Sequence, residues 1–358
     1  MEVVVIGGNP AGLSAASAIR RLHPEWKIDV YEKGEYISYG ACGIPYYVSD
    51  EITDINNLIT LTKEQMENKR KIPIHLNHEI IDVNFLEKKV EIKGKSTFQR
   101  TYDSLVIATG GHATSFPELK LEHQRIFYVH TLNHAEQLKT FIKDPKTDIK
   151  SVVVIGAGYI GLEMLEAYKA LNIDDITIIG PRLVFRSNTQ SFIQEELNKH
   201  GIKTIIGKRV KKVENLSNDR LTVILDDNST ITTDLLQISI GVSPATEIFR
   251  NKGLKMLSNG ALITNELMQT NIKDVYAAGD CIATYHQILE KNMHVPLAPA
   301  ANKQGRLAGS VIAGKKVDPY PGIVGTSIFK VFDLYCAKTG ISLEEALGHG
   351  YDAESIII

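Results

Sequence analysis

Cysteine is scarce in this 358-residue chain, which contains only Cys42, Cys281 and Cys336. Three widely separated cysteines form neither a disulfide framework nor the paired ligand spacing of a structural zinc site. A secreted disulfide scaffold and a zinc domain are therefore excluded. We expect a protein of a reducing compartment that is cytoplasmic and binds no metal.

An excess of one charge is also missing, since 40 Lys and Arg residues stand against 42 Asp and Glu residues, for a net charge of -2. A nucleic-acid-binding protein usually carries a basic excess or stripe, so we expect no nucleic-acid partner. No apolar run approaches the roughly 18 residues that a membrane-spanning helix needs, so we expect no membrane partner. The chain enters an apolar strand at once, which leaves no room for a signal peptide.

What is present is an apolar strand followed by a glycine turn, and this pattern occurs twice. Residues 2–6 precede the turn at 7–12, and residues 152–155 precede the turn at 156–161. A continuous apolar run suits a strand of a parallel sheet that is buried on both faces. Glycines permit a tight turn, and the N-terminus of the following helix attracts a pyrophosphate. The sequence therefore predicts an α/β fold with two dinucleotide-binding units.

The first turn is followed by Glu32, 20 residues after Gly12, at the end of the second strand. A carboxylate at this spacing accepts hydrogen bonds from an adenosine ribose. The middle glycine of the motif is replaced by Asn9, but Asn can cap a helix and Pro10 suits its first position. The alternative is an ordinary strand-turn-helix without a ligand.

The second turn lacks the corresponding acid, because its second strand runs into Gly180-Pro181-Arg182, with Arg186 close behind. A carboxylate there would select NAD. An arginine next to a position that lacks this carboxylate accommodates a 2′-phosphate. We therefore favour NADPH over NADH. The alternative is that both arginines are solvated loop residues.

Two further segments have the pattern of flavin contacts. Residues 104–107 form a buried strand that ends in the small residues Ala108-Thr109-Gly110, and residues 271–278 lead to Gly279-Asp280. A carboxylate in this position suits the hydroxyl groups of a ribityl chain. The alternative interpretation of Asp280 is a helix cap.

Cys42 lies in the segment Ser38-Tyr39-Gly40-Ala41-Cys42-Gly43-Ile44-Pro45, which predicts a cysteine in a turn that leads into a helix. A helix N-terminus lowers the pKa of a thiol and favours the nucleophilic thiolate. No second cysteine follows within two turns, so the oxidised form must be a mixed disulfide, a sulfenic acid or a persulfide. No motif surrounds Cys281 or Cys336, which we interpret as inert.

These motifs together resemble the FAD-dependent pyridine nucleotide-disulfide oxidoreductases with a single active-site cysteine, and most of all the coenzyme A-disulfide reductase group. The most specific stretches are residues 38–47 and Pro296-Leu297-Ala298-Pro299-Ala300-Ala301-Asn302-Lys303-Gln304-Gly305-Arg306. The resemblance implies two Rossmann-like domains of three-layer ββα type, for FAD and for NAD(P)H. It places the FAD-binding domain at 1–113 and 245–318 and the NAD(P)H-binding domain at 114–244.

The resemblance also implies a set of site residues, with Cys42 as the catalytic nucleophile. FAD would contact Gly7, Asn9, Pro10, Ala11, Gly12, Glu32, Lys33, Ile80, Ala108, Thr109, Gly110, Gly279, Asp280 and Ala298. NAD(P)H would contact Gly156, Gly158, Tyr159, Ile160, Gly161, Glu163, Arg182 and Gly241. The substrate would contact Ser14, Arg21, Ser38, Arg70 and Asn302, and the phosphates of CoA suit Arg20, Arg21 and Arg70 unless these arginines form a solvated surface.

The implied activity passes electrons from NAD(P)H to FAD, then to Cys42, and then to CoA disulfide through a Cys42–S–S–CoA intermediate. One alternative is an NADH peroxidase or oxidase that uses a cysteine sulfenate, but those relatives carry a histidine where this chain has Pro10. A second alternative is a persulfide reductase, which would also use Cys42 as its single reactive cysteine. The remaining alternatives are a catalytically weak flavoprotein redox sensor and a ferredoxin-type reductase, which needs no Cys42 motif.

The related enzymes have a third, α+β domain that forms a homodimer and supplies a tyrosine to the partner's site. Residues 319–358 enter this domain but are fewer than the roughly 100 residues of a usual domain. We therefore expect an incomplete dimerisation domain, in a truncated chain or a naturally shortened homologue, and we regard dimer formation as doubtful.

Overall fold

The computed structural model describes residues 1–116, 123–185, 189–216 and 219–356. Two compact units divide the chain. The first comprises Met1–Gly40, Ile59–His112 and Val242–Val324, and the second comprises Ala41–Leu58, Ala113–Gly241 and Gly325–Ile358. The segment that contains Cys42 therefore belongs to the second unit.

Seven helices lie in the described ranges: α1 (Pro10–Leu22), α2 (Ile44–Val48), α3 (Leu132–Lys143), α4 (Tyr159–Ala170), α5 (Gln190–Lys199), α6 (Ala298–Ile312) and α7 (Leu343–Gly348). None of these helices is long and apolar enough to cross a bilayer. Strands in the first half of the chain are β1 (Glu2–Ile6), β2 (Lys27–Tyr31), β3 (Ile74–His75), β4 (Glu79–Asn84), β5 (Lys89–Lys93), β6 (Thr97–Thr101), β7 (Ser104–Ile107), β8 (Gly111–Ala113), β9 (Ile126–Tyr128), β10 (Ser151–Ile155) and β11 (Asp175–Gly180). Those in the second half are β12 (Lys203–Ile206), β13 (Val210–Asn215), β14 (Leu221–Leu225), β15 (Thr230–Thr233), β16 (Leu235–Ile238), β17 (Val242–Pro244), β18 (Leu262–Ile263), β19 (Val275–Ala277), β20 (Ile282–His286), β21 (Lys291–Met293), β22 (Ser327–Val331) and β23 (Leu334–Lys338).

The first unit is built on a parallel sheet in the order β19-β7-β1-β2-β3. Successive side chains of β1 point to opposite faces, so Val3 and Val5 pack in the cluster that contains α1. Val4 and Ile6 pack in a second cluster with residues of β4 and β5. The antiparallel sheet β4-β5-β6 is the third layer. An apolar run without alternation is thus explained by burial on both faces.

The second unit repeats this arrangement with the parallel sheet β12-β11-β10-β16-β9 and the antiparallel sheet β13-β14-β15. Val153 and Ile155 of β10 share a core cluster with Leu221 and Val223 of β14. These two parallel-sheet units confirm the predicted α/β class with two Rossmann-like folds. The second unit also contains the antiparallel hairpin β22-β23 and the helix α7, which Ser342 and Glu345 begin with a capping box.

Candidate functional site

The first glycine turn joins β1 to α1 in the predicted way. Gly7 has φ +108, and a Cβ at this position would lie 2.1 Å from the carbonyl oxygen of Ala108, so only glycine fits. Pro10 begins α1, as predicted, and Asn9 has extended backbone at the N-cap. The Asn9 side chain makes no capping hydrogen bond, so the predicted capping role of its side chain is wrong. Among the described residues, the buried Oδ1 of Asn9 has no hydrogen-bond partner.

Glu32 follows β2 and holds the glycine turn from the side. Its Oε2 accepts a hydrogen bond from the backbone N–H of Gly8 at 2.8 Å. Its Oε1 accepts one from the N–H of Gly34, also at 2.8 Å. A carboxylate has about four acceptor positions, so Glu32 can still accept hydrogen bonds from ribose hydroxyls. The adjacent Lys33 is exposed.

The two segments predicted to contact a flavin follow neighbouring strands of the same sheet, β7 and β19. Because the carboxyl ends of parallel strands meet at one edge, this edge carries Gly7, residues 108–110 and Gly279-Asp280 together. Ala298 is the exposed first residue of α6. The Ile80 side chain is buried in the core on β4, so only its backbone remains for a ligand.

The second glycine turn, in the second unit, joins β10 to α4. A Cβ on Gly156 would lie 2.2 Å from the carbonyl oxygen of Ser239, and one on Gly161 would lie 2.0 Å from that of Gly156. These two glycines are required by the packing of the turn. A Cβ on Gly158 would meet no described heavy atom within 4 Å. Protein packing therefore does not require glycine there, whereas a closely approaching pyrophosphate would.

The remaining residues predicted to contact NAD(P)H surround this turn. Tyr159 begins α4, Ile160 follows it, and Glu163 is the fifth residue of the helix. Gly241 has φ +123 and leads out of the second unit. Arg182 is exposed in the loop after β11. Arg186 lies outside the described residues.

Cys42 lies in the predicted setting, a short 3-10 turn at Ala41–Gly43 that leads into α2. The residue is exposed. The pKa of its thiol is raised above the ordinary cysteine value, first by desolvation and then by the carboxylate of Glu163. The prediction of a lowered pKa is therefore wrong. A five-residue helix has a weak dipole, and α4 places a negative charge in range of the sulfur.

The Glu163 carboxyl also has a strongly shifted pKa. It is half-buried on α4, and desolvation raises its pKa to about 7. The acid and its conjugate base are thus both populated near neutral pH. A carboxyl with this pKa can hold or release a proton in the unit that carries Cys42.

The helix after Cys42 is anchored by a residue that the sequence analysis missed. The buried Lys139 of α3 donates a hydrogen bond to the carbonyl oxygen of Tyr47 at 2.6 Å and pairs with Asp50 at 2.9 Å. Its ammonium group also lies 3.8 Å from the centre of the Tyr47 ring. No sequence signal identifies such a residue, because a lysine on an amphipathic helix is usually solvated.

A cavity of about 530 Å³ in the first unit brings together all five residues that were predicted to contact the substrate. Its lining consists of Pro10, Leu13, Ser14, Ser17, Arg21, Ser38, Thr60, Leu61, Arg70, Asn302 and Arg306. These residues come from α1, the segment before Cys42, residues 60–70 and α6, which are far apart in sequence. Arg20 does not line the cavity, because its guanidinium donates hydrogen bonds to the carbonyl oxygens of Pro24 and Trp26.

Two contacts within this cavity lining position its polar groups. Arg70 donates a hydrogen bond to Ser17 Oγ at 2.8 Å. Ser38 has the unfavourable φ of +47, and Thr60 supports it by donating its backbone N–H to the Ser38 carbonyl at 2.7 Å. Thr60 and Arg306 were missed as site residues. The motif that contains Arg306 was itself a signal, because Arg306 follows Asn302 by one helical turn.

Neither of the other two cysteines lines the cavity of the first unit, although Cys281 Sγ lies beside the proposed flavin edge, 3.6 Å from the Ile107 carbonyl oxygen and 3.4 Å from that of Ala278. Cys281 is buried, and desolvation raises its pKa to about 11. Cys336 is partly buried on β23, and burial also raises its pKa. Both thiols are thus poorly ionised at neutral pH.

Comparisons with known proteins agree with this geometry. The family model for pyridine nucleotide-disulphide oxidoreductases matches residues 1–305. The NAD(P)H sulfur oxidoreductase (CoA-dependent) of Pyrococcus abyssi is 37% identical over 363 residues, which cover 99% of this chain and 79% of the relative. The coenzyme A disulfide reductase of Staphylococcus epidermidis is 27% identical over 360 residues, which cover 98% and 79%. The structure of an NAD-dependent persulfide reductase from A. fulgidus has a TM-score of 0.92 and 32% identity, and the match covers 98% of this chain but only 65% of that one.

Proposed function

Because the chain belongs to the pyridine nucleotide-disulphide oxidoreductase family, we propose that it is an FAD-dependent NAD(P)H:disulfide oxidoreductase that reduces CoA disulfide through Cys42. The observation that carries this proposal is the cavity in the first unit. It gathers three arginines and five neutral hydrogen-bonding residues, and one of the five, Ser38, lies just before Cys42 in the chain. The reaction consumes one CoA disulfide, one NAD(P)H and one proton, and yields two CoA thiols and NAD(P)⁺.

The chemistry of the cavity suits CoA. Arg21, Arg70 and Arg306 supply guanidinium groups, which form paired hydrogen bonds with phosphate oxygens. Ser14 and Asn302 supply neutral donors and acceptors for an amide chain or a nucleoside. The volume of about 530 Å³ is within the usual range for cofactor-sized ligands, roughly 300–1,000 Å³.

The first unit fits FAD. The buried Oδ1 of Asn9, which has no hydrogen-bond partner among the residues that the structure describes, lies at the glycine turn, and Glu32 retains acceptor capacity for a ribose. When bound, FAD supplies a relay that accepts an electron pair from a pyridine nucleotide and passes it to a sulfur. The residues that would hold it are those of the predicted set on this unit, from Gly7 to Ala298.

The second unit fits NAD(P)H, because the open position at Gly158 lies next to the N-terminus of α4. The strand β11 ends at Gly180 rather than at an acid, and Arg182 is exposed two residues later. An arginine without a competing carboxylate attracts a 2′-phosphate. We therefore assign a preference for NADPH.

Cys42 carries the sulfur chemistry. Its thiolate attacks one sulfur of CoA disulfide, which forms a Cys42–S–S–CoA bond and releases the first CoA thiolate. An electron pair that originates from NAD(P)H then cleaves this bond, which regenerates the Cys42 thiolate and releases the second CoA. Glu163, with a pKa of about 7, is suited to accept the proton of the Cys42 thiol and to return one afterwards.

The test is anaerobic NAD(P)H oxidation with CoA disulfide by the FAD-loaded protein. We expect Cys42→Ser to abolish turnover while FAD remains bound, and we expect the matched variant Cys336→Ser to stay active. Mass spectrometry of wild-type protein purified without reductant should find an adduct with the mass of CoA on Cys42. Full turnover by Cys42→Ser would disprove the assignment.

Reduction of a CoA persulfide or polysulfide is the second candidate. The observation that favours it is that the P. abyssi relative named as a CoA-dependent sulfur oxidoreductase is 37% identical, whereas the CoA disulfide reductase of S. epidermidis is 27% identical. A persulfide and NAD(P)H would yield a thiol, hydrosulfide and NAD(P)⁺. Sulfide release from polysulfide that requires CoA and exceeds CoA disulfide turnover would select this candidate.

A further inference from the structure

The hairpin β22-β23 contacts the residue that begins the NAD(P)H-binding helix. Ser327 Oγ lies 2.8 Å from the hydroxyl oxygen of Tyr159, within hydrogen-bonding distance, although the two residues are 168 positions apart. Ser327 is the first residue of β22 and Tyr159 is the first residue of α4. The contact lies within the second unit.

Phe329, two residues further along the same face of β22, completes an aromatic cluster. Phe329 is buried, with 4% of the residue exposed. The centre of its ring lies 5.3 Å from that of Tyr159 and 5.5 Å from that of Phe185. The Tyr159 and Phe185 rings are 6.0 Å apart. All three pairs have edge-to-face geometry, which is favourable for aromatic rings.

Tyr159 and Phe185 belong to the two segments that border the proposed nucleotide site. Tyr159 directly follows Gly158, the position that is open to a ligand. Phe185 follows Arg182 in the loop after β11, and the backbone N–H of Val184 donates a hydrogen bond to the Ala157 carbonyl of the glycine turn at 2.8 Å. Phe329 therefore packs between the glycine turn and the loop that carries the arginine.

Further contacts hold the hairpin in this position. Lys330 pairs with Glu166 of α4 at 3.0 Å. At the tip of the hairpin, the backbone N–H of Asp333 donates to Glu196 Oε1 at 2.9 Å, and the ring of Phe332 stacks on His200 at 3.9 Å. These contacts hold the hairpin against both α4 and α5. The hairpin can therefore restrain the position of the Tyr159 side chain.

We propose that Ser327 and Phe329 are positioning residues of the NAD(P)H site, which hold Tyr159 and the loop of Arg182 in the conformation that binds the nucleotide. This inference rests on the proposed binding of NAD(P)H to the second unit. Because these side chains would act through Tyr159 and Phe185, their loss should weaken nucleotide binding without changing the CoA site of the first unit.

The experiment uses FAD-loaded protein and measures the Kd for NADP⁺, the KM values for NADPH and for CoA disulfide, and the Tm. We expect Ser327→Ala and Phe329→Leu to raise the Kd and the KM for NADPH by about three- to tenfold. The KM for CoA disulfide and the FAD content should not change. Ile328→Ala is the matched control, because the Ile328 side chain is 70% exposed on the opposite face of β22. Ser327→Thr keeps the hydroxyl group and should bind NADP⁺ as tightly as the wild-type protein.

A double-mutant cycle separates positioning from general stability. If the Ser327–Tyr159 contact carries the effect, Tyr159→Phe combined with Ser327→Ala should bind NADP⁺ no more weakly than the weaker single variant. Unchanged Kd values in both hairpin variants would overturn the inference, and so would equal rises in both KM values together with a lowered Tm. A wild-type protein that binds no pyridine nucleotide would instead overturn the proposed function, and this inference with it.

Discussion

The side-chain Oε1 of Gln304 accepts a hydrogen bond from the backbone N–H of Gly279 at 3.0 Å. Gln304 is 1% exposed on α6, and its Nε2 donates a second hydrogen bond to Thr284 Oγ1 at 3.0 Å. Gly279 has φ +87 and immediately precedes Asp280 at the proposed flavin edge. One buried amide thus holds the turn that presents Asp280.

Replacing Gln304 with leucine should destabilise this turn. The substitution keeps the side-chain volume similar but removes the hydrogen bonds that Gln304 makes with the buried N–H of Gly279 and with the hydroxyl of Thr284. A buried group left without a hydrogen-bond partner costs about 1–3 kcal/mol of stability. We expect a lower Tm and reduced FAD content after purification, measured by calorimetry and flavin absorbance. Gln287→Leu, at an exposed position, is the matched control. Retention of full FAD content and Tm by Gln304→Leu would contradict this role.

Gly305→Ala should separate two closely packed helices. An added Cβ would lie 2.0 Å from the carbonyl oxygen of Ala11 on α1, so the helix backbones would have to move apart. Overpacking of this kind typically costs about 1–3 kcal/mol. Thermal unfolding should show a decrease in Tm, whereas Gly348→Ala, whose Cβ would meet no described atom within 4 Å, should leave the Tm nearly unchanged. Equal Tm values for the two variants would refute the packing argument.

Glu163→Gln should make Cys42 more acidic. The Glu163 carboxylate raises the pKa of the Cys42 thiol, so its removal stabilises the thiolate and lowers that pKa. We expect faster alkylation by iodoacetamide at pH 8 and a rate–pH profile displaced to lower pH. Glu195→Gln, an exposed position on α5, serves as the control. A slower reaction in Glu163→Gln would reverse the predicted sign.

The same variant should alter how stability depends on pH. Desolvation raises the pKa of Glu163 from 4.5 to about 7 in the folded protein, so the native state binds more protons than the unfolded state in this interval. Stability is therefore lost as the pH rises through this range, by up to about 3 kcal/mol. Glu163→Gln should unfold at a higher Tm than wild type at pH 8 and at a similar Tm at pH 4. A wild-type advantage at pH 8 would show that the ionised carboxylate is stabilised by a partner.

Arg182→Ala should distinguish the two pyridine nucleotides. Loss of a charged contact to a 2′-phosphate should raise the KM for NADPH by about tenfold or more, while the KM for NADH stays nearly constant. Steady-state kinetics with each nucleotide measures this difference, and Arg209→Ala provides an exposed arginine control in the same unit. A parallel change in both KM values would remove Arg182 from the specificity argument.

Features that depend on short spacings could be predicted from the order of the residues alone. The apolar runs before Gly7 and Gly156 predicted buried parallel strands, and the position of Glu32 after Gly12 predicted a carboxylate beside the turn. Such features follow from local backbone geometry and strand periodicity, so residue order is sufficient. The five residues at the cavity of the first unit were named by resemblance, since no local spacing connects Ser14 to Asn302.

The pKa shifts and the contacts between distant segments could not be predicted before the positions of the packed elements were known. The thiol of Cys42 has a raised pKa because desolvation disfavours the thiolate and α4 brings Glu163 into range, which the local turn does not reveal. Lys139 beneath α2, Gln304 behind Gly279, and Ser327 against Tyr159 are contacts between distant segments. Desolvation and contact partners depend on which surfaces meet after folding, so they can be identified only from the packed structure.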